Sequence, residues 1–268
     1  MAYTTANQVT ADKGHPPALF ILFFTEMWER FSYYGMRALL VLFLTSTLLE
    51  GGWGWDRAEA LRLYGIYTGL VYLTPILGGL IADKLLGYRK AVILGAFVMT
   101  VGHASMALET PFFFYMGLGC LIIGNGLFKP NISSIVGQLY TDNPKKKDAA
   151  YTIFYMGINI GALLAPLTVG FLAKTQTFKN ILSSAGFDPN KSWHWGFAAA
   201  GIGMIVGLIV YQRNRRHLAA VLAQDLRQRG QQEQRPGAQP LQHVGISPVV
   251  GADHKRRADR SKRRPPSQ

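Results

Sequence analysis

Cysteine is almost missing from this chain of 268 residues. A single thiol, Cys120, excludes an intrachain disulfide framework and a cysteine-built metal centre, and leaves that residue a packing role. Charge is the second scarcity: Asp, Glu, Lys and Arg make up 16% of the sequence against 49% hydrophobic residues. The charge is also unevenly spread. Met1 to Gln212 holds 15 basic against 11 acidic residues, a net +4, and Arg213 to Gln268 holds 13 against 4, a net +9. That tail contains no Phe, Tyr or Trp, so its cations have no stacking partners, which argues against a nucleic-acid partner. Met1 to Pro17 is polar and lacks the basic start and small-residue cleavage pattern of a signal peptide, so the first apolar run is expected to stay in the mature protein. No nucleophile stands beside a base and no set of metal ligands is visible. His103 is a lone polar residue in an apolar run and His194 sits at the edge of one, so the expectation is a non-enzyme without metal or prosthetic group.

What the chain has in abundance is apolar length. Six stretches, at 19–44, 62–83, 90–108, 112–139, 149–173 and 194–212, approach or exceed the roughly 20 residues a helix needs to cross a hydrocarbon core about 30 Å thick. The fold class expected is an all-α membrane protein: a cytoplasmic N-terminus at 1–18, a six-helix bundle at 19–212 and a disordered basic tail at 213–268. Loops on one side carry Lys84, Arg89 and Lys90, then Lys145, Lys146 and Lys147, then Arg213, Arg215 and Arg216. The other side has Arg57 and Arg62 offset by Asp56 and Glu59, a loop around Glu109 and Pro111 with no basic residue, and Lys174, Lys179 and Lys191. This bias places both termini in the cytoplasm and the chain in the cytoplasmic membrane. Trp53, Trp55, Trp193 and Trp195 flank spans and read as interfacial anchors. Gly117, Gly119, Gly124, Gly126, Gly157 and Gly161 form small-residue faces suited to close helix packing.

The first span breaks the apolar rule, since Glu26, Glu29, Arg30 and Arg37 lie inside it. An ionised side chain at bilayer depth costs roughly 2.5 to 3.5 kcal/mol on insertion scales, so such residues face a protein interior or a watery path and find partners. Glu26, Arg30, Tyr33 and Arg37 recur at spacings of four, three and four and form one stripe, with Glu29 a step aside. Two acids exceed what one structural cation needs, which suggests a proton relay; a static Glu26–Arg30 pair is the plainer reading. For Arg37 the plainer reading is a side chain snorkelling to the headgroups. Lys129, in the run Gly124 to Asn131, is the other charge deep in a span and calls for an acidic partner. Pro130 loosens the helix there, and Tyr155, Asn159 and Pro166 repeat the pattern of polar group plus helix breaker. Asn131-Ile132-Ser133 matches a glycosylation acceptor, but its place within a span makes the match fortuitous.

Together these residues resemble the proton-dependent oligopeptide transporter family, a branch of the major facilitator superfamily. Glu26-Met-Trp-Glu29-Arg30-Phe31-Ser-Tyr33-Tyr34-Gly35 is similar to the family's first-helix motif, and Gly78 to Lys90 to the superfamily's loop motif, here Gly79, Asp83, Gly87 and Arg89. Gly124 to Asn131 and Phe154 to Gly161 resemble the signatures of helices four and five. The resemblance implies an N-terminal six-helix half of such a transporter, carrying di- and tripeptides with protons as the coupling ion. It assigns proton coupling to Glu26, Glu29, Arg30 and Lys129, and peptide contacts to Tyr33, Tyr34, Arg37, Tyr72 and Asn159. Lipid is the surrounding partner. The match covers about Leu19 to His217, whereas family members continue into a second six-helix half. The abrupt change of composition past the sixth span reads as a truncation with a frame-shifted end, to be completed by the missing half or by self-association. The alternatives are a non-transporting six-helix scaffold or partner subunit with its tail on anionic lipid, and, among transporters, a carrier of nitrate, another small anion or a sugar. Two acids beside Arg30, with Lys129 and Arg37 at hand, suit zwitterionic or anionic substrates better than sugars.

Overall fold

The computed structural model describes residues 14–108, 110–140 and 144–233. Among the described residues seven α-helices follow one another: α1 (Pro17–Thr45), α2 (Arg57–Ile81), α3 (Tyr88–Met106), α4 (Pro111–Gln138), α5 (Pro144–Lys174), α6 (Gln176–Ser184) and α7 (Ser192–Glu233). No strand occurs among the described residues. The starts follow local chemistry. Pro17 and Pro111 open α1 and α4, where a missing N–H costs nothing, and Asp56 caps α2 by accepting from the Ala58 N–H at 2.8 Å. A wider turn, Ala82–Leu86, extends α2 to Gly87, whose φ of 74° reverses the chain into α3.

Two compact units separate by contact, Met1–Ala223 and Gln224–Gln268. In the first, α1 packs along α5, α4 packs along both α3 and α2, and α1 reaches α2 and α4. Small residues allow these approaches. A Cβ added at Gly95 on α3 would lie 2.6 Å from the Gly124 carbonyl oxygen on α4, and one at Gly78 on α2 would overlap the backbone of Gly126. Gly126 is also where Pro130, one turn on, has no N–H to offer its carbonyl. Gly157 and Gly161 seat α5 on α1, so five of the six glycines expected at helix contacts are there, while nothing lies within 4 Å of a Cβ at Gly119. Gly203 and Gly207 of α7 face Phe31 and Trp28 of α1.

The exterior of the first unit is apolar. Ile66, Leu73, Ile76 and Leu77 on α2, and Leu163 and Leu167 on α5, are all exposed, a surface that lipid tolerates and water does not. Four helical stretches, Arg57–Leu86, Pro111–Gln138, Pro144–Lys174 and Pro189–Arg215, are long and apolar enough to cross a membrane. The chain is a multi-pass membrane protein. Helices α1 and α3 fall outside that description because α1 carries four charges and α3 opens on Arg89 and Lys90 and contains His103.

Three expectations change. The sixth span was expected to end at Gln212, and the disordered tail to begin at Arg213. Helix α7 instead continues to Glu233, because the Arg-, Gln-, Ala- and Leu-rich sequence past Gln212 is made of good helix formers; residues 234–268 lie outside the described set. The short helix α6 was not expected. Trp193 is not an interfacial anchor: it is fully buried, donates from Nε1 to the Glu50 carbonyl at 2.8 Å and packs on Phe43. Trp53 joins the same cluster against Phe43 and Phe114, so these indoles close one end of the bundle rather than float at its rim.

Candidate functional site

Helix α1 sits inside the bundle, flanked by α5, α7 and α4, and this position makes its charges tolerable. Glu26, Glu29 and Arg30 are 1%, 0% and 2% exposed. The Arg30 guanidinium is shared. Its Nε lies 3.2 Å from Glu26 Oε1, its Nη2 donates to Glu29 Oε1 at 2.6 Å, and its Nε also donates to Glu29 Oε2. Adjacent residues do not normally face each other on a helix, but the four-bond Arg side chain reaches round to Glu29. Asn125 of α4 adds a third donor to Glu29, Nδ2 to Oε1 at 3.1 Å. Glu26 Oε2, by contrast, is buried with no hydrogen-bond partner among the described residues.

Lys129 lies one turn beyond Asn125 on the same face of α4. Among the described residues it makes no ion pair with either acid. Its Nζ instead sits 5.6 Å from the centre of the Tyr72 ring of α2, within electrostatic reach of Glu26, Glu29 and Arg30. Two carboxylates thus face two cations, an arrangement balanced in charge but with unequal contacts.

Arg37 does not snorkel to a headgroup. It turns inward, with Nε donating to the Tyr64 hydroxyl of α2 at 2.9 Å and its second nitrogen to the same oxygen. Its guanidinium lies 5.3 to 5.8 Å from the ring centres of Tyr33, Tyr34 and Tyr64. The Tyr33 ring also carries Arg30, at 4.9 Å. Of the residues expected to act, Glu26, Glu29, Arg30, Tyr33, Tyr34, Arg37, Tyr72 and Lys129 therefore gather between α1, α2 and α4. Asn159 is exposed on α5, and no hydrogen bond joins it to that group among the described residues. Tyr155, on the same helix, is exposed as well.

Tyr64 and Asn125 carry contacts that their sequence positions signalled without being read: Tyr64 stands eight residues before Tyr72 and Asn125 four before Lys129, each pair on one helix face. In the loop motif, the Asp83 carboxylate across Gly87, together with burial, holds the Tyr88 phenol above its ordinary range. Arg89 donates to the Arg215 carbonyl of α7 at 3.3 Å. Gly79 is 4.0 Å, from its would-be Cβ, to the Pro130 ring. Within this motif Arg89 thus joins α3 to α7, and Gly79 of α2 sits against α4. Asn131 is fully buried and donates to the Leu127 carbonyl at 2.6 Å, as befits a triplet inside a helix.

A sequence profile of the POT family matches residues 89–222. The peptide transporter YePEPT of Yersinia enterocolitica is 43% identical over 202 residues, covering 74% of this chain and 37% of that protein. The di-/tripeptide transporter of Lactococcus lactis is 42% identical over 214 residues, 78% of this chain and 40% of that protein. Among solved structures, a mutant peptide transporter POT crystallised with alafosfalin superposes with a TM-score of 0.67 at 42% identity, over 76% of this chain and 39% of that one. The chain spans 37% to 40% of the length of these relatives. With a family profile over residues 89–222, half of its length, and a helical fold that superposes on a solved POT structure at 42% identity, this chain belongs to the POT family.

Proposed function

We propose that the chain serves proton-coupled symport of di- and tripeptides, with the proton as the coupling ion and the peptide carried unchanged. The observation that carries this reading is Arg30, buried between two carboxylates of which one is fully engaged and the other has a free oxygen. A proton taken at Glu26 Oε2 removes one of the two negative charges around Arg30, leaves the guanidinium to Glu29 and frees Lys129 from half of the field that holds it. Glu26, Glu29, Arg30 and Lys129 are the coupling group. A peptide carboxylate meets Arg37 and Lys129, the cations set in aromatic rings, and Tyr33, Tyr34, Tyr72 and Asn159 line its path. The names of the Yersinia and Lactococcus relatives support peptide as the substrate class. The loop bias supports cytoplasmic termini and the cytoplasmic membrane. Residues 19–212 act as one bundle, whose open α2 and α5 faces call for a covering partner, a second copy of this chain or a further six-helix half.

The test is proton-driven uptake of a labelled dipeptide into liposomes holding this 268-residue chain. Uptake that Glu26→Gln and Lys129→Ala each abolish is the expected result. Uptake indifferent to both substitutions removes the coupling assignment, and no uptake by folded, inserted protein refutes transport by this chain alone.

A further inference from the structure

Beside Glu29, residues of α1, α2, α3 and α4 border a cavity of about 10 Å³, lined by Glu29, Ser32, Tyr67, Met99, His103 and Asn125 among others. That volume suits about one water molecule. Two buried polar atoms of its lining residues, His103 Nδ1 and Asn125 Oδ1, have no hydrogen-bond partner among the described residues, and each residue is 1% exposed. Buried polar groups of this kind are satisfied by protein or by internal water.

The donors and acceptors around the cavity fix a direction. Glu29, paired with Arg30, only accepts, so the Asn125 atom 3.1 Å from it is the amide nitrogen and the free atom is the amide oxygen, an acceptor. His103 Nε2 and the Ser32 oxygen are 2.5 Å apart, and this is the sole hydrogen bond of the Ser32 hydroxyl among the described residues. Giving the serine proton to Nε2 uses that hydroxyl's hydrogen in its one bond and leaves Nδ1 as the N–H of the ring. On that assignment, two residues that line this water-sized space carry one donor and one acceptor without a partner among the described residues.

We propose that this cavity is a binding site for one internal water, which accepts from His103 Nδ1–H and donates to Asn125 Oδ1. The bonds then run in one sense, from Ser32 to His103, through the water, to Asn125 and on to Glu29. His103 and Asn125 are positioning residues that hold the Glu29 carboxylate toward Arg30. The chain is complete while Glu29 Oε1 accepts from the Asn125 amide. The site stands on geometry alone, and only its link to coupling rests on the transport reading.

Solid-state NMR on the chain in lipid bilayers, with 15N-labelled histidine and His103→Gln to assign the signal, tests it. The expected result is a His103 ring protonated at Nδ1, with magnetisation transfer from water to that N–H, and loss of this single-tautomer signature in Ser32→Ala. A ring protonated at Nε2, or an Nδ1–H that receives no transfer from water, overturns the proposal. Neither readout depends on uptake, so a chain that transports nothing leaves this result standing, and a dry cavity leaves the uptake experiment standing.

Discussion

Replacing Glu29 by Gln should destabilise the bundle more than replacing Glu26 by Gln, although both are buried acids beside the same arginine. Glu29 accepts from Arg30 at two positions and from Asn125, whereas Glu26 makes one contact with Arg30, at 3.2 Å, and has a second oxygen without a partner. Glutamine matches glutamate in size but keeps one acceptor oxygen and gains a donor. At Glu26 the lone acceptor stays on Arg30 and the new N–H₂ replaces an atom that had no partner. At Glu29 the new donor must face either Arg30 or the Asn125 amide, both donors, and at least one bond to a charged group is lost. Such bonds contribute roughly 1.5 to 3 kcal/mol each, and an orphaned buried donor adds to the loss. The expected costs are about 3 kcal/mol for Glu29→Gln and about 1 kcal/mol or less for Glu26→Gln, a gap of more than tenfold in the unfolding equilibrium. The single thiol, Cys120, partly buried on α4, supplies the assay: its reaction with a thiol-selective dye, followed through a denaturant titration in detergent, reports opening of the bundle. Equal costs, or a larger one at Glu26, would show that Arg30 is not held mainly by Glu29 and would refute this reading of the cluster.

Helix contact and titration give two further tests. Gly95→Val should cost at least the 1 to 3 kcal/mol typical of overpacking, because its Cβ would meet the Gly124 carbonyl of α4 at 2.6 Å, whereas Gly119→Ala, with nothing within 4 Å, should be neutral or stabilising; the same thiol assay measures both, and equal effects would contradict the packing. Tyr140, at the end of α4, is pushed from 10.0 up to about 12 by burial, so the fold favours the neutral phenol. Its contribution to stability is complete below pH 10.0 and is lost as pH rises toward 12, and difference absorbance against Tyr140→Phe should place its midpoint near 12 rather than 10.

Apolar length made the long helices legible to within a few residues at most ends, because bilayer thickness and helix rise fix how much greasy sequence a span needs. The same criterion hid what does not span. It ended the last helix where the hydrophobic run ends, at Gln212, although α7 goes on to Glu233 in a sequence of polar helix formers. It also passed over α6, whose apolar residues Phe178, Ile181 and Leu182 recur at helical spacing in a segment too short to cross. Charge in apolar surroundings pointed just as readily to the buried cluster on α1. Spacing then suggested Glu26 as the natural partner of Arg30, four residues away, and set Glu29 aside. The contacts fall the other way, since which acid an arginine grips depends on side-chain rotamers and on the third donor that α4 brings, and neither is written in the spacing of one helix.

The stripe on α1 nevertheless does more than place charges in line. Tyr33 stands three residues after Arg30 and four before Arg37, and its ring carries both guanidinium groups, at 4.9 and 5.4 Å. The buried acid cluster and the more open arginine–tyrosine group are therefore not independent sites that happen to share a helix. A cation over an aromatic face contributes roughly 0.5 to 2 kcal/mol depending on its desolvation, and the same ring cannot keep both cations if either moves by an ångström or two. Any rearrangement of Arg30 that follows a change of charge on Glu26 or Glu29 must alter the seat of Arg37, which is also fastened to Tyr64 of α2. Two residues at helical spacing on either side of one tyrosine thus give a physical route by which the state of the acids reaches the face where α1 meets α2.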